Sequence, residues 1–226
     1  MRPKEAKENH PAVSAFIDGS VRKICNLEPD LIIGFSDIQA DLAAKLIRAN
    51  QQVLIFNQRS IDEILEVILT IGRIVSAENK AKELVHSYKS RIEEVKQRSL
   101  ELEYRPKVYF EEWDKPTFSA IRWVSEIIEI AGGNDVFSEK SFGKLASERE
   151  IQWEDVIKMN PDIILASWCG KPVDIDSIKQ RPGWESITAI KEDKIHEIDP
   201  SIILQPGPAC LTDGLSVIEK IIRDVH

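Results

Sequence analysis

The sequence predicts an α/β fold in which two lobes with parallel sheets are joined by one long helix. Three observations carry this. Residues 77–103 run without Pro or Gly and are dense in Glu, Lys, Arg and Leu. Short apolar strands alternate with amphipathic helices on both sides of that run, the grammar of a parallel sheet. A helix, turn and strand pattern on one side also returns on the other at a fixed spacing. The expected divisions are a lobe over 1–76, a connecting helix over 77–104 and a second lobe over 105–226.

For the long helix, Ser76 is the expected N-cap, Glu78 lies just inside, and Pro106 stops the run after about seven turns. Ala81, Leu84, Val85, Tyr88, Ile92, Val95 and Leu102 recur at three and four residues, which makes one apolar stripe. A long helix with one such stripe can serve as a strut.

Ahead of it, Met1–Ser20 holds Pro3, Pro11 and Gly19 without a clear period and reads as a surface lead-in. Val21–Leu27 reads as a short helix, Leu31–Gly34 as a buried parallel strand, Ile38–Asn50 as a helix, Gln52–Phe56 as a strand and Ser60–Val75 as a helix. Ser60 with Glu63 forms the pattern of a capping box. Beyond the long helix the same alternation predicts strands over Lys107–Glu111, Ile163–Ala166 and Ile195–Ile198. Helices are expected over Ile121–Ala131, within Glu148–Met159, near Ile175–Gln180 and from about Thr212 to Val225.

The internal repeat aligns Val21–Gly34 with Trp153–Ala166 at an offset of 132 residues. In each copy an amphipathic helix meets Pro-Asp (Pro29-Asp30, Pro161-Asp162) and then a four-residue apolar strand. Proline ends the helix and fixes φ for the turn, so the chain reverses onto its sheet at the same point twice. Ligands of open parallel sheets sit outside the carboxyl ends of the strands. That rule places Phe35-Ser36-Asp37 on one wall of a cleft and Ser167 to Lys171 on the other, with Glu111 to Asp114 and Asp199 to Pro208 on the same rim.

Composition narrows the function. A net charge of -8 argues against nucleic acid or an anionic membrane as the main partner. Cys25, Cys169 and Cys210 form no CxxC pair, which disfavours structural zinc and a disulfide framework. His10, His86, His196 and His226 are scattered, so convergent ligation of a bare metal ion is not expected. No stretch reaches the ~18 apolar residues of a membrane span, and the charged start lacks an apolar leader region. As written, the chain is expected in the cytoplasm, or in the periplasm or at the cell surface if it is a truncated form of a secreted protein. Glu111, Glu112 and Asp114 cluster, yet the chain has no Ser/His/Asp order, no GxxxxGK and no GxGxxG, so no catalytic residue is assigned.

Lobe, long helix, lobe, with a repeated Pro-Asp strand, resembles the class III substrate-binding proteins of ABC importers, whose members carry cobalamin, haem, ferric siderophores or metal ions. Lys107–Asp114, Ile121–Phe137 and Ile203–Pro208 resemble most the cobalamin-binding members. The resemblance implies a non-catalytic binder of a corrinoid in the interlobe cleft. A haem or ferric-siderophore binder, met by Arg122 and Lys171, is the alternative, as is an intracellular corrinoid-handling protein or enzyme on the same fold. Relative to the family pattern, the first lobe lacks its usual N-terminal strand and helix unit.

Carried over by position, Phe35 lies where relatives place an aromatic against the corrin ring, and Trp113, Trp168 and the Gln205-Pro206 loop lie where the second lobe closes over it. The other reading is that each aromatic packs under its own loop. Trp123, Trp153 and Trp184 are expected in the core. Ser119 and Arg122 can bond peripheral groups of a ligand, or Arg122 can pair with Glu126 one turn on. Cys169 has two readings, an axial contact to a chelated metal and a small apolar filler. The family also implies a permease partner docked through acidic residues, for which Asp37 or Asp41 and Asp174 or Asp176 are candidates.

Overall fold

Short apolar runs set the main strands of this protein, fully buried at the centre of the second unit's sheet and only partly buried in the first unit, and helix caps set where the connecting segments begin. The fold is that of a computed structural model, which describes residues 5–13 and 19–225. Of the expected lead-in over Met1–Ser20, residues 1–4 and 14–18 lie outside the described residues, as does His226; Ala6–Asn9 forms one helical turn. The chain divides into two units, residues 1–58 and 59–226.

In the first unit, Ser20 caps the helix Val21–Cys25 by accepting from the Lys23 amide. The strands Ile32–Gly34 and Val53–Ile55 pair in parallel, with Ile32 opposite Val53 and Gly34 opposite Ile55. Between them runs the helix Ala40–Arg48, entered through the 3-10 turn Asp37–Gln39. Leu42 and Leu46 bury one face of that helix against Ile24, Ile32 and Val53. Gly34 lies close under two side chains, and a Cβ there, 2.4 Å from the Ile55 Cδ1 and 2.8 Å from the Gln39 Oε1, would require those side-chain ends to shift.

In the second unit, the capping box forms: the Glu63 amide donates to the Ser60 Oγ, the Ser60 amide donates back to the Glu63 carboxylate, and the helix Ile61–Ile74 follows. This helix, grouped with the first lobe by the sequence reading, packs on the long helix Glu78–Ser99. At Gly72 a Cβ would meet the Ala81 Cβ at 2.4 Å. The long helix is 22 residues. Ala81, Val85 and Val95 are buried, with Tyr88 and Ile92 packed beside them, while Leu84 leaves the stripe and is 37% exposed. Ser76 is not its N-cap: Ser76 turns left-handed at φ 58°, and Ala77 takes the cap position without a side-chain bond.

The sheet of the second unit has four parallel strands in the order Asn134–Asp135, Lys107–Glu111, Ile163–Ala166, Ile195–Glu197. Val108, Phe110, Ile163 and Leu165 enter one core with the helices Arg122–Ile130 and Leu215–Arg223. Tyr109, Ile164 and Ala166 enter a second with Ile178 and Trp184. Both faces of the two central strands are covered, which is why 108–110 and 163–166 read as continuous apolar runs. Before the last helix the chain forms a π-helical turn, Cys210–Gly214, where the sequence reading continued the α-helix from Thr212.

The repeat is visible in the backbone. Glu28 and Asn160, each just ahead of its Pro-Asp, both have φ 47°, and they are 132 positions apart. In each copy a left-handed residue stands between the helix and the Pro-Asp that leads into the strand: Asn160 caps its helix directly, and Glu28 lies in the turn after Asn26.

Asp135 ends the edge strand, 2% exposed, with its Oδ1 bonded to the Phe137 amide and its Oδ2 without a partner. Burial pushes its carboxyl up from 3.8 to about 6, against the opposing pull of Ser125 and the Phe137 amide. The native state therefore holds this proton more tightly than the unfolded chain. Its contribution favours folding below about pH 4 and is lost as the pH rises through about 6, a change of about 3 kcal/mol. Urea unfolding of Asp135→Asn at pH 4.5 and pH 7.5, set beside the parent, should show that part of the pH dependence removed.

Candidate ligand-binding site

Three carboxylates in four residues, Glu111, Glu112 and Asp114, leave the carboxyl end of the strand Lys107–Glu111, and each is met by one cation from far along the chain. Glu111 is fully buried, so its charge requires a complete set of donors. Arg181 supplies two through its fork, the Nη2 at 2.8 Å, and the Tyr109 hydroxyl and Trp168 Nε1 donate at 2.8 and 3.2 Å. The guanidinium itself lies over the rings of Trp153 and Trp184, at 5.0 and 4.5 Å from their centroids. Burial and the adjacent Glu111 charge raise the Tyr109 phenol well above its usual range, so it stays a donor.

Glu112 pairs with Arg149, which also donates to the Ser119 carbonyl at 2.7 Å. Asp114 accepts from the Lys171 ammonium at 2.7 Å. Burial alone would push the Asp114 carboxyl up, but the hydrogen bond and charge of Lys171 outweigh it and hold the group below its ordinary value. The Lys171 ammonium also sits 4.5 Å from the Trp113 centroid and 4.6 Å from that of Trp168.

The residues singled out from the sequence fall into three groups. Trp113 is half-buried on a short hairpin, Trp113–Asp114 with Thr117–Phe118, its Nε1 bonded to the Lys115 carbonyl. It shares Lys171 with Trp168, so the structure brings these two indoles together. Trp168, however, is 2% exposed and belongs to the core, which is the packing alternative for that residue. Ser119 is 1% exposed and spends its hydroxyl on the Arg149 carbonyl, so it faces inward. Arg122 pairs with Glu126 at 2.9 Å, the pairing weighed above, and its guanidinium lies over the exposed ring of Phe142.

Cys169 is half-buried, its thiol pushed up by burial and by Glu112, which favours the neutral filler over a thiolate ligand. Gln205 is exposed and Pro206 half-buried, in the loop that follows the helical turn Pro200–Ile203. In the first unit, Phe35 is half-buried directly after its strand, its amide bonded to the Gln39 side chain. Trp123 and Trp184 are core residues as expected, and Trp153 is half-buried with its Nε1 on the Thr117 hydroxyl.

Arg149 and Arg181 were not foreseen. Their signal was indirect: a run of acids at the end of a buried strand demands cations, but nothing local says which ones. Among the described residues no group of three or more His, Cys, Asp and Glu side chains is arranged to hold a metal ion, and no helix is long and apolar enough to cross a membrane.

Because the Glu111–Arg181 pair is buried on both sides, Glu111→Gln or Arg181→Met should cost about 3–5 kcal/mol of stability, since either leaves one buried charge unmatched. Chemical denaturation of each variant checks this, and the double replacement is expected to recover part of the loss.

Residues 2–202 match the family model described as periplasmic binding protein. An uncharacterized ABC transporter substrate-binding lipoprotein, YvrC of Bacillus subtilis strain 168, is 26% identical over 235 residues, covering 98% of this chain and 70% of the relative. The high-affinity heme uptake system protein IsdE of Staphylococcus aureus strain Newman is 21% identical over 203 residues, covering 84% and 66%. The chain thus spans 70% and 66% of the lengths of these curated relatives. Among solved structures, a possible iron-binding (periplasmic solute-binding) protein from Staphylococcus epidermidis ATCC 12228 superposes with a TM-score of 0.81 at 24% identity, covering 98% of this chain and 86% of that one. The periplasmic vitamin B12 binding protein BtuF of Vibrio cholerae gives 0.73 at 18% identity, covering 99% and 85%. At these identities the two structures establish a shared fold.

Proposed function

Since the chain belongs to the periplasmic binding protein family and has the class III fold of ABC-importer substrate-binding proteins, we propose that it captures a corrinoid without catalysis, against the carboxyl edge of the second unit's sheet. One observation carries the choice of ligand. Every cation described above at that edge, Arg149, Arg181, Lys171 and Arg122, is already matched by a carboxylate of its own chain. These four pairs carry no net charge between them, and the half-buried indole of Trp113 beside them suits a broad ring with uncharged amide edges. In the first unit, Phe35 directly follows the strand Ile32–Gly34, at the carboxyl end of its own sheet.

Haem or a ferric siderophore is the second reading. Its support is that the side chains of Lys171 and Arg122 are each 40% exposed, so both can turn to an anionic ligand, and that one relative is named for heme uptake. Delivery to a permease is expected of such a protein. Asp176 is the stronger docking candidate of its pair, because Asp174 is engaged in capping the helix Ile175–Lys179. Relatives named as a lipoprotein and as periplasmic proteins support a place of work outside the cytoplasm.

Calorimetric titration with cyanocobalamin, dicyanocobinamide and haemin tests the reading. The corrinoids should bind at micromolar Kd or tighter, and Trp113→Ala should weaken them by about tenfold, or ~1.4 kcal/mol. Trp168→Ala is expected to act on the fold first, lowering stability by about 3–5 kcal/mol. Binding of haemin alone would transfer the assignment to the second reading.

A further inference from the structure

The Asp114–Lys171 pair differs from the other ion pairs at this edge. The side chains of Arg149 and Arg181 are each 4% exposed and locked by two or more bonds, so neither can turn toward a ligand. Lys171 is 40% exposed, stands on a flexible four-carbon stem and lies over the indole on which a ligand ring would stack. Its partner Asp114, 15% exposed, is fixed on the same hairpin as Trp113. Ring platform, movable cation and fixed anion are therefore adjacent.

We propose that the Asp114–Lys171 pair is the specificity element of the site, selecting rings edged with primary amides over rings of the same shape edged with carboxylates. This rests on the reading that a flat ring stacks on Trp113. A primary amide offers both N–H donors and a carbonyl acceptor, so it matches a carboxylate and an ammonium side by side: N–H to the Asp114 oxygen, C=O to the Lys171 Nζ. A carboxylate edge can use only Lys171, must compete with Asp114 for it, and is repelled by Asp114 at the same time. The pair works as a donor and acceptor couple of zero net charge.

Cyanocobalamin and its peripheral monocarboxylates, in which one side-chain amide is hydrolysed, share one ring and differ by one charge. Their affinities should be compared for the parent chain, Asp114→Asn, Lys171→Met and the double variant. Asp114→Asn leaves an unpaired cation and should shift the affinity ratio toward the carboxylate by about fivefold; Lys171→Met leaves an unpaired anion and should shift it about as far toward the amide. The double variant, again without net charge, should return to within about threefold of the parent ratio. A side chain with a merely structural role would weaken both ligands in proportion. That result overturns the specificity assignment and leaves the corrinoid reading standing. A parent chain that binds neither form overturns both.

Discussion

The buried Glu111–Arg181 pair is the constraint on which the second unit depends. Glu111 closes the strand Lys107–Glu111 inside the protein, where an unmatched carboxylate would be prohibitive. Its counter-charge comes from the segment after the helix Ile175–Lys179, seventy residues further on. The pair therefore ties one strand to the crossover that follows its neighbour. The aromatic residues Trp153 and Trp184 stack on the guanidinium and Tyr109 completes the carboxylate, so the charge sits in a box of rings. A buried pair of this kind is weak evidence for stability, since apolar residues of equal volume would serve as well or better. Its effect is positional: it holds Trp168 by the indole N–H and so holds the floor beneath the edge of the sheet.

From that anchoring the character of the site follows. With Glu111 and Glu112 matched by arginines that are themselves buried, the cation of this acidic run that is left free to move is Lys171, the partner of Asp114. Buried charges define shape here and the outer pair defines chemistry.

How much of this was legible in the sequence depends on the range of the interaction. Features decided within a few residues were readable. The Ser60–Glu63 capping box, the strands Lys107–Glu111 and Ile163–Ala166, the Arg122–Glu126 pair and the repeated Pro-Asp turn all rest on spacings of four or less. Features decided across the fold were not. Glu112, Asp114 and Glu111 find their cations 37, 57 and 70 residues away, and no periodicity encodes that. The hairpin at Trp113 is too short to show an alternation. Ser76 fails as a cap because the turn out of Ile61–Ile74 needs it left-handed, a demand set by how that helix packs on the next one.

Strand register explains why the two indoles behave differently although one lysine touches both. Glu111 stands opposite Ala166 in the parallel ladder. Beyond that pair the first strand leaves the ladder, and Trp113 pairs with Phe118 in the hairpin, while Trp168 follows Ala166 by two residues; side chains two apart share a face. Trp168 continues the face of Ile164 and Ala166, which is packed by Ile178 and Trp184, so it is drawn into the core. Trp113 continues the face of Tyr109 and Glu111, but the hairpin carries it past the covered part of the sheet. One ammonium, 4.5 and 4.6 Å from the two ring centroids, serves both indoles. The buried ring anchors the lysine's position, and the outer ring is the one that the proposed stacking uses.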